Sequence, residues 1–288
     1  RVLFRSGWIG VDDALRAHLE LLERRHDGLE AGIATGIEAL DELLDGGLQR
    51  GSLAIIGARP SVGKSALGLQ LVAEIATNHS VGFLSLEMST AELYDRLLAS
   101  LGRESISRLK RPARGVNWDA ITAGVHRLQD RRLHVVDHSA LNIRQVRSFA
   151  RGLKRRKGLD VLALDYVGLM PGLDQRQPRA YQLAEISGGL KVLAKELDIA
   201  IVALAQVNRG VADRADQTPM LSDLRDSGAL EQDADVVALL HRPEVARPDL
   251  GDDFRGYALL RVAKNRQGST GDVNLRFDGP RSTFAPWD

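Results

Sequence analysis

Residues 53–65 read Leu-Ala-Ile-Ile-Gly-Ala-Arg-Pro-Ser-Val-Gly-Lys-Ser, and they restrict the fold more than any other stretch of the chain. An apolar run of strand length ends in a loop of small residues that closes on Gly63-Lys64-Ser65. Leu67, Leu71, Val72 and Ile75 then recur at helical spacing. Strand, loop and helix in this order turn the loop's backbone N–H groups, and the positive end of the helix, toward phosphate oxygens. Lys64 can reach the outer phosphates and the Ser65 hydroxyl can hold Mg²⁺. Ala58, Arg59, Pro60, Ser61, Val62, Gly63, Lys64, Ser65 and Ala66 are therefore the expected cradle for ATP or another nucleoside triphosphate. One position departs from the usual pattern: Ala58 stands where glycine is customary, and Gly57 comes one residue early. Alanine is tolerable there if the backbone needs no positive φ.

The chain has 288 residues, 44% hydrophobic and 27% charged, which suits one large α/β domain or two small ones. It contains no cysteine, which excludes disulfides and thiolate metal sites and fits a reducing cytoplasm. No apolar run approaches the roughly 20 residues of a membrane span. No signal peptide is visible, so no membrane partner is expected. The net charge is only +1, so any nucleic-acid surface must concentrate its cations locally. Arg1 rather than Met opens the sequence, so excision from a longer protein is expected, with residues 1–10 partly non-native.

Val11, Leu15, Leu19 and Leu22 form a helical stripe over Val11–Asp27, ended by Arg24, Arg25, His26 and Gly28. Either this helix packs on its own domain or it is an arm that docks on a neighbouring subunit; periodicity does not choose. Beyond it, apolar strand candidates alternate with helical patterns: Leu53–Gly57, Val81–Leu86, Leu133–Val136, Val161–Asp165, Ile199–Ala205 and Val236–Leu240. A capping box at Ser89-Thr90-Ala91-Glu92 opens one helix. Ile143, Val146, Ala150 and Leu153 mark a second, and Leu183, Ile186, Leu190, Leu193 and Leu197 a third. The expected fold is α/β, a mostly parallel central sheet with helices on both faces. Tyr257–Val262 and Val273–Phe277 read as added edge strands.

Such sheets bind ligands at the carboxyl ends of their strands. The polar residues found there are Glu87, Asp165 and Gln206, beside the phosphate loop. Asp165 would serve the metal, Glu87 would orient or deprotonate the attacking water, and Gln206 would bond the terminal phosphate. Lys264-Asn265-Arg266 ends a later strand, and its spacing alone favours a solvated tip. Two polar loops leave the same sheet: Pro171–Arg179, with Arg176 and Arg179, and Asn208–Gly228, with Arg209, Arg214 and Arg225. Nearly free of aromatic residues, they suit sequence-blind contact with single-stranded phosphates rather than base stacking. The cations Arg144, Arg147, Arg151 and Arg155 read as a solvated helix face.

Taken together, Ala58–Ser65, Ser85-Leu86-Glu87-Met88, Leu164-Asp165-Tyr166, Ala205-Gln206-Val207-Asn208-Arg209, Ser222–Asp235 and Lys264-Asn265-Arg266 resemble the DnaB-type replicative DNA helicases. The resemblance extends from about Val11 to the C-terminus, and Ala58 matches the helicase form of the phosphate loop. It implies a linker helix (residues 1–33) before a RecA-like P-loop NTPase motor (34–288). It further implies a homohexameric ring moving 5′→3′ on single-stranded DNA, fuelled by ATP with Mg²⁺, with primase and a helicase loader as partners. Glu87, Lys64, Gln206, Lys264 and Arg266 would be catalytic, the last two acting on the neighbour's nucleotide. Ser65 and Asp165 would serve the metal. Arg176, Arg179, Arg225, Asp226 and Gly228 would contact DNA. The family's N-terminal primase-contacting domain has no counterpart in these residues. Gly188-Gly189 is expected to weaken a helix by about 1 kcal/mol per glycine. A RecA/RadA-like filament-forming ATPase and a nucleotide-dependent assembly module remain the rival readings.

Overall fold

A computed structural model describes residues 8–26, 32–208, 210–211, 214, 217–247 and 252–287. The chain divides into two compact units, residues 1–32 and 33–288. The first contributes helix α1 (Val11–His26), with Asp12 and Asp13 in its first turn. Its apolar stripe is exposed, Val11, Leu15, Leu19 and Leu22 all lying open to solvent.

The second unit runs α2 (Glu38–Leu43), β1 (Leu53–Ala58), α3 (Lys64–Ile75), β2 (Val81–Ser85), α4 (Thr90–Gly102), α5 (Ile106–Leu109), α6 (Trp118–Gln129) and β3 (Leu133–Asp137). It continues with α7 (Ile143–Lys157), β4 (Val161–Asp165), α8 (Arg179–Leu197), β5 (Ala200–Gln206), α9 (Gly228–Asp233), β6 (Val236–His241) and α10 (Pro243–Ala246). Three edge strands close it: β7 (Tyr257–Asn265), β8 (Gly271–Asp278) and β9 (Thr283–Pro286). One nine-stranded sheet has the order β3-β2-β4-β5-β1-β6-β7-β8-β9. The pairings among β1 to β6 are parallel; those of β6 through β9 are antiparallel.

Period-two alternation splits the apolar strand residues between two cores. Ile56, Phe83, Ala163 and Leu204 face Leu67, Leu71, Leu93 and Leu97 of α3 and α4. Ile55, Leu84, Leu162 and Ile201 face Val146, Ile186, Leu190 and Leu193 of α7 and α8. Burial on both faces explains why these strands are continuously apolar. Ser89 caps α4 with a reciprocal Glu92 bond, and Asn142 caps α7 in the same way with Gln145.

Gly188-Gly189, where a cost in helix stability is expected, lies inside α8, which runs unbroken through both. A Cβ at Gly189 would run into the Ile143 side chain, so its absence lets α8 and α7 approach. Two loop readings are also revised. Arg179 opens α8 rather than ending a loop, and Leu221–Asp233 is helical, a 3₁₀ segment leading into α9. β9 was not anticipated. It packs behind the phosphate loop through Phe284, whose ring lies 4.7 Å from that of Phe277.

Candidate nucleotide site

The strand order brings six carboxyl ends to one edge of the sheet. β1 delivers Ala58 beside Gln206 of β5, and β6 lies on the other side of β1. β4 lies beyond β5, and β2 beyond β4, where Ser85 pairs with Asp165. Asp165 is level with Leu204, two positions short of Gln206. That stagger, about 6–7 Å, sinks Asp165 to the floor of the crevice and leaves Glu87 and Gln206 exposed at its rim.

The loop has the shape its composition requires. Ala58 ends β1 in extended conformation and is absent from the positive-φ residues, so the missing glycine costs nothing there. The two left-handed positions are Ser61 (φ 65°) and Gly63 (φ 109°). Gly63 is the N-cap of α3, whose first residues Lys64, Ser65 and Ala66 carry unpaired helix-terminal N–H groups toward the cavity. The cavity is about 440 Å³ and is lined by Ala58, Arg59, Pro60, Ser61, Gly63, Lys64, Ser65 and Ala66. Glu87, Gln206 and Tyr166 line it too. Val62 is buried behind the loop.

Asp165 is 0% exposed, and neither of its carboxylate oxygens receives a hydrogen bond. The Lys64 ammonium lies 3.1 Å from Oδ1 without hydrogen-bond alignment, and 3.9 Å from the centre of the Tyr166 ring. Burial, with Glu87 and Asp165 nearby, raises the Tyr166 phenol above its ordinary value. A buried carboxylate with idle oxygens next to a P-loop serine fits a hard cation, which Mg²⁺ satisfies with few protein oxygens, phosphate and water. No group of three or more His, Asp or Glu placed to hold a metal ion occurs among the described residues.

Several wall residues escaped the sequence reading. Arg242 stacks on Phe277 with its guanidinium carbon 4.1 Å from the ring centre, and donates to the Val62 carbonyl at 3.4 Å. The strand-end rule that pointed to Glu87, Asp165 and Gln206 extends to β6, where Arg242 is the first charged residue past the apolar run. Phe277 carried no such signal, because it reaches the cavity only through the antiparallel edge. Arg96 and Ser282, 3.3 Å apart, complete that wall.

Other sequence candidates lie apart from the cavity. Asn265 pairs with Val236 at the opposite end of the sheet, beside the start of β1. Lys264 and Arg266 thus sit about five strand residues, roughly 16 Å, from the phosphate loop of their own subunit. Arg176 is exposed and paired with Asp174 at 3.0 Å. Arg179 donates to the carbonyls of Gly168 and Met170, each at 2.9 Å, which organises the loop before α8. Arg214 forks onto Asp223 at 2.8 and 2.6 Å. Arg209 and the side chains of Arg225 and Asp226 lie outside the described residues; Gly228 opens α9. A hollow of about 580 Å³ over α7 is lined by Arg144, Arg147, Arg151, Lys154 and Arg155, on the sheet face away from α3. Glu196 pairs there with Arg151 at 2.6 Å.

Residues 32–286 match the model of the DnaB-like helicase C terminal domain family. The chain belongs to that family. It is 38% identical over 283 residues to replicative DNA helicase DnaB of Leifsonia xyli subsp. xyli (strain CTCB07), covering 96% of this chain and 61% of the relative. It is 36% identical over 264 residues to replicative DNA helicase DnaB of Geobacillus stearothermophilus, covering 90% of this chain and 57% of the relative. The chain thus spans about three-fifths of the curated relatives it matches. Among solved structures, one described as an ATPase domain superposes with TM-score 0.91 at 30% identity, covering 98% of this chain and all of that one. A DnaB-like replicative helicase, described with its interactions with primase, superposes with TM-score 0.87 at 30% identity over 98% of this chain and 68% of that chain. The expected RecA-like architecture is therefore the observed one. No helix among the described residues is long and apolar enough to cross a membrane.

Proposed function

We propose that this chain is the nucleotide-hydrolysing motor of a replicative DNA helicase, moving on single-stranded DNA and separating duplex at a fork. The observation that carries the reading is the buried, unbonded Asp165 carboxylate under Lys64, with Glu87 and Gln206 on the rim above it. In this reading the loop N–H groups and Lys64 bind the β- and γ-phosphates of ATP or another nucleoside triphosphate. Ser65 and Asp165 would hold Mg²⁺, which would supply positive charge to the phosphates. Glu87 orients the attacking water and accepts its proton. Gln206 bonds the terminal phosphate and loses that partner on release, passing the change into the segment after β5. Arg242 and Phe277 offer a flat wall to the base.

Lys264 and Arg266 cannot reach their own crevice, which favours their delivery to a neighbour's, where such a cation accelerates hydrolysis by about 10³–10⁵. That requires a head-to-tail contact, the kind that makes a ring where its rotation closes and an open filament where it does not. A homohexamer translocating 5′→3′ is the assembly proposed. Residues 1–33 would form its linker, the exposed stripe of α1 docking on the next copy. Arg176, Arg179, Arg225, Asp226 and Gly228 are the proposed DNA contacts, and primase and a loader the proposed partners.

The test is ATPase activity with and without single-stranded DNA. Stimulation by DNA, abolished in Lys64→Ala along with fork unwinding, is expected. ATPase indifferent to DNA would refute the motor. Open helical filaments in electron micrographs, instead of closed rings, would favour strand-exchange chemistry.

A further inference from the structure

The Lys264-Asn265-Arg266 tip is tied to the helix that comes directly after the proposed DNA loop. Lys264 Nζ donates to the Glu231 carbonyl, and Arg266 Nη2 to the Gln232 carbonyl at 2.5 Å. Both acceptors lie in the last turn of α9, whose terminal carbonyls lack helical partners and attract cations. α9 starts at Gly228, directly after the 3₁₀ segment Leu221–Ser227. Behind the tip stands Asp235, 7% exposed. Its Oδ2 accepts from the Leu53 N–H at 2.8 Å and from Lys191 Nζ at 2.5 Å, while Lys191 also donates to the Gly51 carbonyl at 2.9 Å. The carboxylate is thereby immobilised, with Oδ1 3.6 Å from Arg266 Nη1. The Arg266 backbone N–H donates to the Asp235 carbonyl at 2.9 Å.

We propose that Asp235 is a positioning residue that, with the α9 carbonyls, aims Arg266 at the neighbouring subunit's nucleotide. The proposal rests on the trans role of Lys264 and Arg266 given above. A half-exposed guanidinium samples many rotamers, and orienting it in advance lowers the ordering cost when the neighbour reacts. Lys264 and Arg266 also repel each other, an effect that Asp235 and the α9 carbonyls offset.

Subunit mixing separates this role from a structural one. Lys64→Ala subunits keep the cation tip and lack a working phosphate loop; Arg266→Ala subunits are the reverse. If the cations act in trans, an equal mixture regains up to about a quarter of parental ATPase, the share of interfaces joining two intact halves at random. Failure of that mixture overturns the trans reading itself. Asp235→Asn alone is expected to lower DNA-stimulated kcat about 10-fold with KM within about 2-fold. Mixed equally with Lys64→Ala, activity per Asp235→Asn subunit should rise about 5-fold, because half of its phosphate loops then face a correctly aimed Arg266. Absence of that rise, with the control mixture active, places the damage in the subunit's own site and overturns the role of Asp235. The double variant Asp235→Asn, Lys191→Met removes the buried pair together, which avoids a lone buried charge. It must show the same neighbour-dependent rescue.

Discussion

Replacing Lys64 by methionine keeps the length of the side chain and removes its charge from beside a carboxylate that is 0% exposed. At 3.1 Å the gross attraction between the two charges is about 5 kcal/mol at an effective dielectric of about 20. Desolvation of both groups offsets much of that, so the pair itself contributes little net stability. Removing one partner is different: Asp165 would remain buried, without hydrogen bonds and without its cation, at a cost of about 3–5 kcal/mol. The double variant Lys64→Met, Asp165→Asn leaves no charge behind and should lose less than about 2 kcal/mol. Asp165→Asn alone should cost about 1 kcal/mol, so singles summing to about 4–6 kcal/mol against a double of about 2 kcal/mol give a coupling of about 2–4 kcal/mol. Urea unfolding of the nucleotide-free protein measures it, monitored by far-UV circular dichroism with single and double variants under one condition. Adding Mg²⁺ alone should raise the midpoint of Lys64→Met more than that of the double variant, because only the former retains an uncompensated carboxylate. Additivity within about 0.5 kcal/mol, or a Lys64→Met variant as stable as its parent, would refute the ion pair.

Three further outcomes are expected. Glu87→Gln should reduce turnover by about 10²–10⁴ while a fluorescent nucleotide still binds; unchanged kcat would remove Glu87 from the chemistry. Gly189→Ala should destabilise by about 1–3 kcal/mol, although alanine favours helices by about 1 kcal/mol, because its methyl group meets Ile143. Pairing it with Ile143→Val should recover part of the loss in urea titrations. Burial works against ionised Asp160, yet Arg50 at 2.8 Å and the Ser80 N–H hold its carboxyl below the ordinary value. A depressed carboxylate stabilises the fold above its unfolded pKa and loses that contribution as pH falls through the folded one. Asp160→Asn should therefore be less stable than the parent near neutrality, and the gap should close below about pH 4. A gap independent of pH would contradict the assignment.

Much of the site was readable along the chain because it sits where strands end. β1, β2, β4 and β5 read as continuous apolar runs, and the candidate crevice residues Arg59, Glu87, Asp165 and Gln206 stand within three residues of where each run ends. Arg242 obeys the same rule at the end of β6. Phe277 was not readable in this way. It belongs to an antiparallel strand whose alternation only says that one face is buried, and its place on the nucleotide wall depends on β9 folding back behind Gly63. Gly188-Gly189 shows what propensity leaves out. Propensity counts the entropic cost of glycine in isolation, whereas α8 needs Gly189 for its approach to α7.

By itself, the sequence determined the nucleotide cradle, the parallel sheet and the carboxylates at its strand ends. Each of those depends on contacts between residues close in the chain, or on a periodicity that local sterics impose. The tertiary structure alone decided which edge of the sheet each group occupies. It sank Asp165 to the floor by a stagger of two residues, and it carried Lys264 and Arg266 to the far end of the sheet from their own phosphate loop. Those placements come from strand order and register, which arise from packing between segments far apart in sequence and leave no local trace.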